Sequence, residues 1–195
     1  MSNKKEQERS ELHKTIWQIA NDLRGSIDGW DFKQYVLGML FYKFISENLV
    51  TYIDKNQKAT GDLNFSYEIL SDQDAETARN QVVSEKGFFI LPSELFSNVV
   101  KRADQDDNLN VTLEKIFKNI ESSASGTDSE KNMKGLFDDI DVNSNKLGGT
   151  VVEKNGRLRK LMKAIDGLKL GKYEDNTIDA FGDAYEYLMT MYAAN

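Results

Sequence analysis

Cysteine is missing from this 195-residue chain, which excludes a disulfide framework, a thiolate zinc site and a thiol nucleophile. Histidine occurs once, as His13, so no two imidazoles can share a metal or form a catalytic pair. Alone, His13 reads as an exposed helix residue. Proline also occurs once, as Pro92. Without the commonest helix breaker, long helices are easy to accommodate. Long apolar runs are lacking too. The most apolar stretch, Tyr35 to Ile45, has Lys43 inside it and falls well short of the roughly 20 residues that span a bilayer, so it reads as a buried helix. The charged start MSNKKEQERSELHK has no apolar segment behind it that could serve as a secretory signal. These absences point to a cytoplasmic protein with no membrane contact. At this length about 70% of the unfolded surface can be buried, in one large or two small domains.

What the chain does have is charge and helical spacing. The net charge of -7 opposes unaided attraction to a phosphate backbone, which needs clustered lysine and arginine. The segment Glu153 to Lys172 is the local exception. It holds seven basic residues (Lys154, Arg157, Arg159, Lys160, Lys163, Lys169, Lys172) against Glu153 and Asp166, a local charge of 7 − 2 = +5. Arg157, Arg159, Lys160 and Lys163 are therefore the candidate contacts to phosphate, with a solvated helix face as the plainer alternative.

Leu12, Ile16, Ile19 and Leu23 recur at helical spacing and predict a helix over 8–24, with Gly25 as its left-handed cap. From Phe32 to Ile53 apolar residues fall nearly all round the helix, as expected of a central core element. Residues 56–71 read as a connection, and 72–86 as a polar, exposed helix. Phe88-Phe89-Ile90-Leu91 is too short a run to tell a strand from a buried turn. Pro92 suits the first turn of a helix through Ala103. Val111 to Ile120 predicts another helix, SSASGTDS a loop, and Gly156 to Ile165 a further helix. Ile178, Phe181, Tyr185, Leu188 and Tyr192 predict a closing amphipathic helix. The expected fold is all-α: a compact multi-helix domain with at most one short strand or hairpin.

Candidate chemistry is thin. In DDIDVNSN, Asp139, Asp141 and Asn143 fit the first positions of a calcium loop, but Ser144 stands where glycine is needed and Thr150 where a bidentate glutamate is needed. GLKLGKY has three residues between its glycines where a phosphate loop has four, and Tyr173 replaces the hydroxyl that would hold magnesium. The sequons at Asn64 and Asn110 carry no meaning without export. Asp138 and Asp141, three apart on a helix, would share a face as an acid–base pair, yet no nucleophile accompanies them.

Four stretches together resemble the N-terminal domain of the modification subunit of type I restriction-modification systems, which methylates adenine in DNA. They are IANDLRGSIDGWDFKQYVLGMLFYKFISENL (19–49), GFFILPSELF (87–96), GLFDDIDVNSNKLG (135–148) and DAFGDAYEYLM (179–189), in the family's order. The resemblance implies that residues 1–195 are a helical, non-catalytic domain, and that a catalytic domain binding S-adenosylmethionine would follow residue 195. The family's Asn-Pro-Pro-aromatic motif needs two adjacent prolines, whereas Pro92 stands between Leu91 and Ser93. The chain thus reads as a piece of a longer subunit, inactive alone, with no catalytic residue, metal or cofactor of its own. The implied partners are a specificity subunit, a second modification subunit, the restriction subunit of the full complex, and DNA. Two other readings stand beside it: a free-standing helical DNA-binding module, and an independent enzyme built on the paired carboxylates.

Overall fold

A computed structural model describes residues 29–138 and 140–167 of the chain. The helices expected over 8–24 and from Ile178 to Tyr192 lie outside the described residues. Within them the fold is all-α, as expected, with no strand among the described residues. The helices are α1 (Gly29–Ala59), α2 (Asp72–Glu76), α3 (Arg79–Lys86), α4 (Phe96–Arg102), α5 (Leu109–Ser123), α6 (Glu130–Phe137) and α7 (Val151–Asp166). Short 3-10 turns at Tyr67–Ile69, Pro92–Glu94, Ala103–Gln105 and Asn145–Leu147 join them.

The central position of α1 follows from its apolar girth. It packs against both α4 and α7, while α7 also meets α4 and α5, and α5 carries α6. With neighbours on several sides, α1 has no wide polar face, and Met39, Leu40, Phe41 and Tyr42 in succession are wholly buried. Aromatic rings form the junction. Tyr42 meets Phe96 of α4 and Phe117 of α5 edge-on, at 5.3 and 5.5 Å between centroids. Phe117 stacks on Phe137 of α6 at 4.5 Å. Such offset and edge contacts contribute about 0.5–1.5 kcal/mol each beyond burial itself.

The polar groups carried inside by α1 are all matched. Tyr42 donates its hydroxyl to the Glu94 carbonyl, and Tyr35 to that of Asp141. Ser46 accepts from the free amide of Phe96 at 3.1 Å, capping α4 from a neighbouring helix. Lys43, the charge inside the apolar run, is buried, pairs with Glu47 at 2.5 Å and reaches the Asp166 carbonyl at 3.4 Å. Its cation thus sits at the negative end of α7.

Several elements differ from expectation. The single polar helix over 72–86 is two short ones, and it is not fully exposed, because Ala75, Val82 and Lys86 are buried. Ser71 caps the first, and Gly87, at φ 82° in the left-handed region, ends the second. The helix expected from Pro92 is split at Leu95, whose extended backbone lets its side chain enter the core. Residues 88–91 form no ladder, because side chains satisfy their backbone. Ser123 accepts from Phe89 N–H at 2.9 Å and donates to its carbonyl at 3.1 Å, and Tyr67 donates to the Ile90 carbonyl at 2.7 Å. Asp138 and Asp141 share no helix face, since α6 ends at Phe137. Asp141 instead closes a local turn, accepting from Asn143 N–H at 3.0 Å.

Candidate nucleic-acid interface

The basic segment folds as α7, and its first turn explains where the helix begins. Thr150 accepts from Glu153 N–H at 3.2 Å while Glu153 accepts from Thr150 N–H at 3.1 Å and Gly149 N–H at 2.7 Å. This reciprocal cap satisfies free amides at the positive end. One face, with Leu158, Leu161, Met162 and Ile165, is buried. Asn155 on the same face links α7 to the start of α5. Its carbonyl accepts from Asn110 N–H at 2.8 Å, and its amide donates to the Asp107 carbonyl at 2.7 Å. Asn110 in turn donates to Asn143 at 2.7 Å, and Asn143 to Glu114 at 3.3 Å. This relay, buried at Asn110 and Asn155 and exposed at Asn143, holds the 141–144 turn against two helices.

The four candidate DNA contacts separate into two kinds. Arg157 donates to the Leu147 carbonyl at 2.5 Å. Arg159 donates to the carbonyls of Ala103 at 2.8 Å and Asp106 at 3.3 Å. Both guanidinium groups therefore fasten α7 to neighbouring turns. Lys163 is half exposed and places its ammonium 2.6 Å from both carboxylate oxygens of Asp104. Arg159 approaches the same carboxylate at 3.7 Å. Hydrogen bonding from Lys163 holds the Asp104 carboxyl below its usual range. Lys160 is exposed and has no partner among the described residues. Lys154 donates to the Asn143 carbonyl at 2.7 Å. At 100° per residue, Gly156, Lys160 and Lys163 face outward together, and nothing lies within 4 Å of where a side chain on Gly156 would stand.

Elsewhere the described residues gather little that resembles a catalytic site. No three of their His, Asp and Glu side chains are placed to hold a metal, and no helix among them is long and apolar enough to cross a membrane. A cleft of about 430 Å³ between α3 and α5 contains Glu94, whose carboxyl burial pushes up while Asn119 hydrogen-bonds it at 2.6 Å. Beside it the Arg79 guanidinium lies 4.5 Å from the Phe89 ring and pairs with Glu76. Ser122 and Ser123 also line the cleft, but Ser123 is engaged with the Phe89 backbone and neither hydroxyl is hydrogen-bonded to Glu94 as a nucleophile is to its base.

The family model of the HsdM N-terminal domain matches residues 12–165, a span that takes in all the described helices but for the last residue of α7. The chain belongs to that family. Its relatives include the methylase subunit of the type I restriction enzyme MpnII of Mycoplasma pneumoniae, 46% identical over 202 residues, covering 100% of this chain and 37% of the relative. In three dimensions it resembles the crystal structure of a type I restriction-modification system methyltransferase subunit from Streptococcus thermophilus. That match has a TM-score of 0.71 and 27% identity, and covers 96% of this chain and 39% of the other. The chain spans well under half the length of either.

In this HsdM N-terminal domain, three residues to which sequence reasoning gave no structural part prove central to the α7 region. Asn110 and Asn155 look like ordinary polar helix residues, and only tertiary packing makes them a buried pair. Asp104 lies far from α7 in sequence. The cap at Thr150 and Glu153 was findable, since Thr-Val-Val-Glu has the spacing of a capping box.

Proposed function

We propose that this domain is a non-catalytic assembly and DNA-closing element of the adenine-specific DNA methyltransferase subunit in a type I restriction-modification system. It works beside a second modification subunit and a specificity subunit, with the restriction subunit joining in the full complex. The specificity subunit reads the sequence, and this domain helps to hold the duplex while a base is extruded, a step costing a few kcal/mol. The family match over residues 12–165 carries this reading, and the outward lysines of α7 support a DNA-facing role for that helix.

On this reading S-adenosylmethionine binding and methyl transfer are left to another part of such a subunit. In open α/β sheets a dinucleotide sits at the carboxyl ends of parallel strands beside a glycine-rich turn, and the described residues include no strand of that kind.

Because Arg157 and Arg159 are occupied by carbonyls, Lys160 and Lys163 are the side chains of α7 best placed to reach phosphate. The test is Lys160→Gln with Lys163→Gln in the reconstituted methylase–specificity complex. Binding should weaken alike for all duplex sequences, and the salt dependence should flatten by about one slope unit per lost contact. Methylation at saturating DNA should persist. Wild-type affinity and salt slope in the double variant would make this surface merely solvated.

A further inference from the structure

The basic side of α7 is already in contact with an acid. Asp104 belongs to the 3-10 turn after α4, is largely exposed, and offers both oxygens to Lys163 at 2.6 Å. Arg159 flanks it at 3.7 Å. A carboxylate so placed presents to the two cations what a phosphate would present: paired oxygens and a negative charge. Resting on the DNA-closing reading of α7, we infer that Asp104 is an internal counter-ion masking this face, and that the sugar-phosphate backbone displaces it when the duplex is closed upon.

The surroundings fit an exchangeable contact. Exposed ion pairs contribute only about 0–1 kcal/mol and are screened by salt, so a phosphate can compete with one. Lys163 has a flexible stem and three donors to reorient. Arg159 stays in place meanwhile, because its bonds to Ala103 and Asp106 do not involve Asp104. The carboxylate of Asp106, just after the turn, is differently employed. It accepts from Asn108 N–H at 2.9 Å and from the Thr112 hydroxyl at 2.6 Å. Asp104 makes no comparable bond to backbone among the described residues, so its removal leaves the turn intact.

Such a mask is useful in a protein that must not settle on every duplex. Until Asp104 is displaced, it repels approaching phosphate, which penalises weak, sequence-independent encounters more than closure driven by the specificity subunit.

Asp104→Asn and Asp104→Ser would each be placed in the reconstituted methylase–specificity complex. Binding to a fluorescent duplex lacking the recognition sequence would be followed by anisotropy over a salt series. Both variants should bind this duplex about three- to tenfold more tightly at low salt, with a salt slope steeper by about one unit. Adding Lys163→Gln to either should abolish the gain. Wild-type affinity and slope in both variants would overturn the mask, and so would a gain that survives Lys163→Gln. If Lys160→Gln with Lys163→Gln weakens binding while the Asp104 variants change nothing, the mask falls and the DNA-closing role stands. If neither set changes binding, both fall.

Discussion

Lys86 shows how far a single side chain can depart from what its neighbours in sequence announce. It ends the polar helix α3, yet only 1% of it is exposed, and its ammonium has no hydrogen-bond partner among the described residues. Its nearest consolation is the Tyr52 ring, 4.9 Å away. Burial pushes the amine from its ordinary value of 10.5 down to about 8. Below that pH the folded protein keeps a buried charge at a cost. Between about 8 and 10.5 the folded state has released the proton while the unfolded chain still holds it, so stability should rise with pH across that window. Lys86→Met should raise stability at pH 7 by roughly 1–3 kcal/mol and remove this lysine's share of the alkaline rise. Denaturant titrations at pH 7 and pH 9.5 would check it, and an unchanged rise in the variant would show that the amine is paired. No local pattern marks Lys86 as buried, because the cause is the long-range docking of α3 on α1. Asp104 was hidden for the same reason: its partner Lys163 lies 59 residues away.

Helices were legible where periodicity was strong and obscure where tertiary contacts set the boundaries. The girth of α1 was plain from its residues, but its extent was not, for it runs through Ala59. The breaks at Leu95 and around Thr77 follow from side chains that the core takes up or a cap that stops the turn. Two helix glycines illustrate what pattern alone misses. Gly38 in α1 lets α1 meet Ile140, whose Cδ1 lies 1.8 Å from where an added Cβ would stand. Gly156 in α7 has open space there. Helix propensity favours alanine at both positions by about 1 kcal/mol. Gly156→Ala should accordingly stabilise the domain by about 0.5–1 kcal/mol. Gly38→Ala should destabilise it by about 1–3 kcal/mol through overpacking, and should cost less when introduced into an Ile140→Ala background. Thermal unfolding of Gly156→Ala, Gly38→Ala, Ile140→Ala and the Gly38→Ala/Ile140→Ala double variant measures this. Equal effects at the two glycines would remove the proposed contact between Gly38 and Ile140.

At the scale of the whole molecule, the fold class and the family were legible from the start, the first from helical spacing and the second from four ordered stretches. Function at the level of particular residues was not, because the basic segment proved to be partly a set of internal fasteners. One expectation concerns the domain as a unit: calorimetric titration of this chain with S-adenosylmethionine should give no binding at micromolar cofactor, and a micromolar Kd would place a cofactor site where none is expected. The bond from Lys43 to the Asp166 carbonyl, 123 residues apart, has a consequence for how the protein is made. A ribosome adding about 5–20 residues per second needs roughly 6–25 seconds to travel that distance. For all that time the nascent chain carries its most apolar helix without the partner that later covers one side of it, so synthesis itself is the interval in which this domain most needs protection from aggregation.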